Sequence, residues 1–421
     1  CDFKCIIYNI YKMTMNCLEL FAGCGGLGYG FHKEGFNIVC ANELEASIGE
    51  TYKHNFPDTN VVIGDITKKD VKKQIYDSFK DKPCNIVIGG PPCVAYSMSG
   101  HRNSRDPRGQ LFNDYVAIVK KLKPDVFVME NVKGILTILH DKPVLNAEEK
   151  ELADKYYKLE EKKIEYSLKK KVLSAKGKKM KDSEEEITEE AQASYQKEVD
   201  DNTLALKKVM SEMNKMKKNI LKFRMHVTDI IKDRFKKMGY NVIMKLLNSA
   251  NYGVPQKRER VIFIGVKKNL KKDMSFPNPT HSNDEESLLP QWVTVKNAID
   301  DLKNMDENKD IQQIYTNHSS SIVEKIKKTP IGSSMNPKYT EAFFRCDPNK
   351  PSNTVKENHG GVFLHYEKPR VMTPRELARL QSFPDDFIFK GSKSCMLIQL
   401  GNAVPCKLGQ AIAKEVKKKF Q

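Results

Sequence analysis

No run of about eighteen apolar residues occurs in the sequence, so hydropathy offers no membrane-spanning helix. Residues 1–15 lack the compact apolar block and small-residue step of a secretory leader. The ten cysteines form no C-x-x-C pair and no Cys/His cluster at zinc spacing. Neither a disulfide framework nor a structural metal is expected, and reduced thiols in a reducing compartment are. A soluble intracellular protein follows as the expectation, with nucleoid, nucleus and cytoplasm undistinguished. The chain opens on Cys1, and its patterned region begins just after Met13 and Met15, so one of those methionines is expected to be the natural start.

Acidic residues are in deficit. Lys and Arg number 71 against 54 Asp and Glu, a formal charge of +17, and such a field attracts polyanions, either nucleic acid or an acidic membrane surface. At 421 residues the chain accommodates two compact domains, or one large domain carrying a smaller one.

Short apolar runs at 17–21, 37–41, 61–63, 86–88 and 126–129 alternate with polar or helix-like segments, the pattern of a parallel α/β sheet. Runs at 241–247 and 261–266 look like closing strands. Between about 141 and 222 the composition shifts to Lys, Glu, Ala, Leu and Met with hardly a proline or glycine, as in long solvated helices. That insert reads either as an interaction-neutral helical hairpin or partly disordered segment, or as an arm that meets DNA or a partner. From about 269 to 369 the alternation fades into polar, Pro- and Asn-containing text, suggesting a separate loop-rich module. Helical signals return at Thr373 and Val404.

Gly23, Gly25 and Gly28 match G-x-G-x-x-G between a strand and a helix, where missing side chains let a ligand approach the backbone. This pattern alone fits NAD as readily as S-adenosylmethionine, and Glu43, some twenty residues on, suits ribose hydroxyls in either case. Gly89-Gly90-Pro91-Pro92-Cys93 sets a thiol on a stiff turn at a strand's carboxyl edge, where open α/β sheets bind ligands. Glu130 follows the strand at 126–129 and reaches the same edge. In Gln256-Lys257-Arg258-Glu259-Arg260 two arginines stand two apart, on one side of an extended chain.

The blocks LELFAGCGGLGYGF, GGPPCVAYSMSG, MENV, QKRER, RELARLQSFPDDF and GNAVP resemble, in the same order, those of cytosine-5 DNA methyltransferases of the bacterial restriction-modification type. The match covers 17 to about 139, 227–266 and 370–414, and it displaces the dehydrogenase reading. It implies a Rossmann-like S-adenosylmethionine-dependent domain at 14–268 carrying the charged helical insert, a smaller target-recognition domain at 269–369, and a segment at 370–421 completing the catalytic domain.

By the family's mechanism the Cys93 thiolate would add to C6 of a flipped-out cytosine in duplex DNA, Glu130 would hold N3 and the exocyclic amine, Arg260 would approach the carbonyl, and Arg258 would support the phosphates. A soft thiolate is needed because cytosine C5 is a poor nucleophile until the ring's aromaticity is broken, and nearby positive charge helps ionise a thiol. The resemblance sets Phe21, Gly23, Gly25, Glu43, Asp65, Ile66, Pro92, Asn402 and Val404 around the cofactor. Val94 stands where the family's Pro-Pro-Cys-Gln has glutamine, which leaves that polar contact missing. Arg345, Lys350, Pro351, Ser352, Asn353 and Thr354 resemble recurring text of the target-recognition region, where a bracing role competes with DNA contact. A monomer acting on DNA without a membrane partner is expected. Two rivals are the tRNA-directed branch of the family, whose Cys-Phe-Thr tripeptide this chain lacks, and a catalytically silent DNA-binding protein, against which Cys93, Glu130 and Arg260 argue.

Overall fold

A computed structural model describes residues 15–92, 111–182, 188–270, 273–336, 342–357 and 363–420. Cys93 and Val94 lie outside them. The described residues divide into two compact units, one formed by 15–92, 111–133 and 235–420 and the other by 134–234.

The first unit is built on a seven-stranded sheet. Strands β1 (Met15–Leu20), β2 (Phe36–Glu43), β3 (Asn60–Ile63), β4 (Ile86–Gly89), β5 (Val126–Val132), β8 (Tyr240–Asn248) and β9 (Glu259–Lys267) are ordered β3-β2-β1-β4-β5-β9-β8. The first five run parallel, and β9 is antiparallel to both β5 and β8. The central strands β1, β4 and β5 are short and buried on both faces, as parallel strands covered by helices must be, while β3 and β8 at the sheet's edges are only partly buried. On one face Cys17, Ile86, Ile88, Val126, Val128, Ile262 and Ile264 enter the main core. On the other, Phe127 stacks on Phe235 with centroids 3.9 Å apart, and the Tyr115 hydroxyl donates to the carbonyls of Val87 and Val128.

Strand order reverses between β1 and β4, the crevice where open α/β sheets bind ligands at the carboxyl ends of their strands. Helix α1 (Gly26–Lys33) follows β1 and packs against the C-terminal helix α12 (Cys406–Lys417). The approach is backbone to backbone, since a Cβ on Gly30 would overlap the Gln410 nitrogen. The expected helices at Thr373 and Val404 are α10 (Pro374–Leu380), whose N-cap Thr373 forms a capping box with Glu376, and α12, which begins just after Pro405. The loop-rich stretch contributes α8 (Val295–Ile299), α9 (Ser320–Lys328) and a two-strand pair, β10 (Phe344–Arg345) with β11 (Phe363–Leu364). Val295, Ile299, Val355 and Phe363 from this stretch join the main core.

The second unit is the charged insert. Helices α5 (Ala147–Asp182) and α6 (Glu189–Leu221) pack along each other, above a small ribbon of β6 (Leu139–Asp141) and β7 (Arg224–His226). Leu159, Val209 and Met213 fill the middle of the seam, and Ala153, Tyr157, Ile220 and Phe223 fill the end near the ribbon. Polar locks hold the register: Tyr195 Oη donates to the Leu173 carbonyl at 3.0 Å and Asn202 Nδ2 to that of Tyr166 at 3.1 Å. At the base Asp141 accepts from Tyr157 Oη at 2.8 Å and pairs with Arg224 at 3.3 Å.

Candidate active site

The carboxyl ends of β1, β2, β3, β4 and β5 carry Phe21, Glu43, Asp65, the Gly-Gly-Pro-Pro turn and Glu130 to one edge of the sheet. Because β9 runs backwards, its N-terminal residues reach that same edge, with Arg260 opposite Val132 and Ile262 opposite Glu130. One reversed strand therefore gathers the MENV and QKRER blocks, which lie well over a hundred residues apart in sequence.

The glycine turn after β1 is held in a conformation few side chains adopt. Phe21 has φ 55°, Gly23 56° and Gly25 94°, all left-handed, and for the phenylalanine such backbone is strained. Gly23 donates its N–H to Glu43 Oε2 at 2.8 Å, and Glu43 Oε1 accepts from the Glu45 N–H at 3.1 Å. Burial raises the Glu43 carboxyl above its ordinary range, opposed by those N–H groups. The three motif glycines differ in what surrounds them. A Cβ on Gly23 would meet nothing within 4 Å, one on Gly25 would press on Phe56 and Tyr52, and one on Gly28 would overlap Glu19 Oε2. Open space lies only over the first, so the turn leaves room for a ligand at Gly23 and uses the other two glycines for packing.

Glu19, which sequence reading passed over, is the reason for Gly28. It is 1 % exposed, its Oε1 accepts from the Gly28 N–H at 2.9 Å and its Oε2 from Tyr52 Oη at 2.6 Å. Desolvation raises its pKa to about 7. The available signal was a lone charged residue inside the buried run LELF.

Of the other expected cofactor residues, Asp65 accepts from the Thr67 N–H at 2.9 Å, Ile66 is buried, and Pro92 and Val404 are half-buried. The Val404 carbonyl lies where a Cβ of Gly26 would be, so GNAVP closes directly over the start of α1. Asn402 is exposed and donates to Glu357 Oε2 at 3.2 Å. Among the described residues no His/Cys/Asp/Glu cluster suits a metal ion.

Glu130 is 9 % exposed, and its Oε1 pairs with Arg260 Nε at 2.7 Å. Its Oε2 lies 2.7 Å from where a Cβ of Gly90 would stand, so the carboxylate lies across the proline turn and any larger residue at 90 would displace it. The next residue, Asn131, donates from Nδ2 to the Pro91 carbonyl at 3.3 Å, tying the end of β5 to the turn that leads into Cys93. Burial pulls the pKa of Arg260 down, and Glu130 opposes that shift.

Arg258, expected beside DNA phosphates, sits differently. It is 2 % exposed, with Nη1 donating to the Val355 carbonyl at 2.8 Å and Nη2 to that of Gly401 at 2.9 Å. Burial and the neighbouring Arg260 charge lower its pKa. It braces QKRER against GNAVP, with its fork turned inward. Gln256 does similar work: its Nε2 donates to Gln381 Oε1 at 2.9 Å and its Oε1 accepts from the Val355 N–H at 3.0 Å. The R-x-x-x-x-K-P-S-x-T text is likewise a brace. Arg345 donates to the carbonyls of Tyr366 and Thr329, Ser352 exchanges backbone contacts with Pro255 and Lys257, and Thr354 Oγ1 donates to the Lys257 carbonyl at 2.9 Å.

Comparison with solved structures returns the same architecture. A prophage-encoded Escherichia coli protein assigned as a DNA modification methyltransferase aligns with TM-score 0.60 and 22 % identity, covering 97 % of this chain and 99 % of that one. Spodoptera frugiperda DNMT2 aligns with TM-score 0.52 and 16 % identity, over 97 % and 100 %. The sheet order, the reversed β9 and the glycine turn at the switch point define the Rossmann-like fold of S-adenosylmethionine-dependent methyltransferases.

Among curated relatives, the Type II methyltransferase M1.HphI of Haemophilus parahaemolyticus is 31 % identical over 98 % of this chain and 89 % of its own. M.DdeI of Desulfomicrobium norvegicum is 28 % identical over 97 % and 89 %. The family model for C-5 cytosine-specific DNA methylases matches residues 15–181 and 211–418, and the chain belongs to that family. It is an enzyme that uses S-adenosylmethionine to methylate cytosine in DNA at C5. The tRNA-directed and silent-binder readings are not favoured by these relatives. No described helix is long and apolar enough to cross a membrane.

Proposed function

We propose that Cys93 is the nucleophile, that Glu130 and Arg260 hold the target cytosine, and that the base is one flipped out of duplex DNA at a short specific sequence. The Glu130–Arg260 pair carries this reading. A buried carboxylate and a half-buried guanidinium sit 2.7 Å apart against the turn that leads into Cys93, offering one acceptor and several donors side by side, the complement of a cytosine's amine and carbonyl edge. Extruding the base costs a few kcal/mol, an amount the basic surface helps offset.

Cys93 forms a bond from sulfur to C6, and the electron pair of the C5=C6 bond moves onto C5. Glu130 holds N3 and the exocyclic amine, and Arg260 faces the carbonyl, so the charge entering the ring is met by fixed groups. When bound, S-adenosylmethionine supplies an electrophilic methyl group. A base then takes the proton from C5, the double bond re-forms, and Cys93 leaves as thiolate. Phe21, Gly23, Glu43, Asp65, Ile66, Pro92, Asn402 and Val404 form the proposed cofactor site, and Gly25 shapes the turn beneath it by packing on Phe56 and Tyr52. The open space over Gly23 and the anchored Glu43 carboxylate, whose oxygens retain lone pairs for ribose hydroxyls, support the fit. Arg258 serves that site as a positioning residue.

Residues 269–369 are proposed as the target-recognition region, between catalytic segments at 14–268 and 370–421, in a protein acting as a soluble monomer. The test is transfer of labelled methyl groups to unmethylated duplex DNA and, separately, to tRNA, with Cys93→Ser as control. C5 labelling within one short motif, lost in the variant while cofactor and DNA binding persist, is expected. Persistent methylation by Cys93→Ser would remove Cys93 from the mechanism.

A further inference from the structure

The two sides of the α5–α6 hairpin differ in charge. On one side Lys169 and Lys176 reach across to the same carboxylate, Glu198, at 3.7 and 3.5 Å, which offsets part of their charge. On α5, residues spaced three, four and seven apart share a face, and Lys163, Lys170, Lys171, Lys178 and Lys181 fall on one such face. All five are exposed, and none forms an ion pair among the described residues. Between positions 163 and 181 no carboxylate of α5 shares this face, since Glu165 projects from the other side of the helix; Glu160, one turn before Lys163, and Asp182, one turn after Lys178, flank its ends.

The same face carries hydroxyls. Ser167 and Ser174 stand between the lysines at helical spacing, and with Lys170, Lys171 and Leu206 they line a groove of about 480 Å³. The stripe runs some eighteen residues, about 27 Å at the rise of an α-helix. Lysines and serines are the usual partners of phosphate oxygens, and contacts of this kind position a nucleic acid without reading its sequence. An isolated phosphate needs two or three such donors. A row of them along about 27 Å, with no ion pair among the described residues, fits an extended polyanion.

We propose that this lysine–serine stripe is a second DNA-contacting surface, which grips the phosphate backbone of the duplex substrate without base preference. The proposal rests on duplex DNA being the substrate, and it separates holding DNA from acting on it: the stripe sets affinity and its salt dependence, and the sheet edge sets chemistry and target.

The test replaces the face together (Lys163→Gln, Lys170→Gln, Lys171→Gln, Lys178→Gln, Lys181→Gln) and compares it with Lys169→Gln/Lys176→Gln on the side paired with Glu198. Thermal unfolding of each full-length variant checks folding. Duplex DNA affinity is measured across salt concentrations, along with kcat at saturating DNA in low salt. Each lysine that no longer meets a phosphate makes the plot of log K against log salt shallower by about 0.9. The five-site variant should have a slope shallower by about 3 or more and bind at least tenfold more weakly near 0.1 M salt, with kcat unchanged. The two-site control should keep the parental slope. An unchanged slope in a folded, active five-site variant overturns the proposal, as does an equal change in the control. If the parent protein itself neither binds nor methylates duplex DNA, the substrate reading fails first and the stripe's role falls with it.

Discussion

Charge is used in opposite ways at the sheet edge and on the helical hairpin. At the edge, Glu130, Arg260 and Arg258 are almost removed from solvent, each committed to named partners. On the hairpin, lysines stand in solvent in numbers, and among the described residues few form an ion pair. Buried charge is costly unless every group is paired, so the edge tolerates little change. Exposed charge is cheap and redundant, so single changes on the hairpin do little and only their sum matters. The lesson is that a large positive net charge says little about where chemistry occurs: the reactive charges are the few that composition cannot distinguish.

The comparison breaks most sharply at Glu130. Glu130→Ala leaves Arg260 buried without its partner and should cost about 3–5 kcal/mol of stability, read by denaturant unfolding. Glu130→Gln keeps an acceptor for Arg260 and should fold, yet lose methyl transfer by roughly 10²–10⁴-fold, read by labelled transfer. A Gln variant with normal kcat would remove Glu130 from catalysis.

The glycine turn separates packing from ligand space. Gly28→Ala drives a methyl group into Glu19 and Tyr52 and should destabilise by about 1–3 kcal/mol. Gly23→Ala meets no atoms and should cost about 1–2 kcal/mol for its left-handed backbone, while weakening S-adenosylmethionine binding measured by calorimetry. Equal cofactor affinity in Gly23→Ala and the parent would move the ligand elsewhere.

Glu19 predicts a pH effect of definite sign. Its folded pKa of about 7 stands above the ordinary 4.5, so between those values the folded chain keeps a proton that the unfolded chain has released. Stability from this group is greatest below about 4.5, falls by up to about 1.4 kcal/mol per pH unit as pH rises toward 7, and levels off above. Glu19→Gln should flatten that part of the stability–pH curve. An unaltered curve would show that Glu19 ionises as it does in water.

Much of this was legible in the sequence, because the strands are short runs rich in apolar residues and four of the six motif blocks mark the sheet edge. The direction of β9 was not, since a buried strand reads the same whether parallel or reversed. The burial of Arg258 was hidden for a related reason: RER in a lysine-rich chain looks like a solvated charge run, and only the long-range approach of Val355 and Gly401 turns it inward. The hairpin's helices were plain from composition. Its seam through Leu159, Val209 and Met213 is a pairing of distant segments, as is the contact that sets Lys169 and Lys176 against Glu198.

At the small end, Lys169→Gln should change stability by less than about 0.5 kcal/mol. A drop of several kcal/mol there would mean that the hairpin, too, depends on single ion pairs.

The most direct test of the central claim uses duplex DNA carrying 5-fluorocytosine at the mapped target, with S-adenosylmethionine present. Fluorine at C5 cannot leave as a proton does, so the sulfur–C6 bond should persist, and peptide mapping should find the DNA attached to Cys93, with no adduct in Cys93→Ser. A protein that methylates ordinary duplex but forms no adduct, or forms it at another residue, would contradict the account.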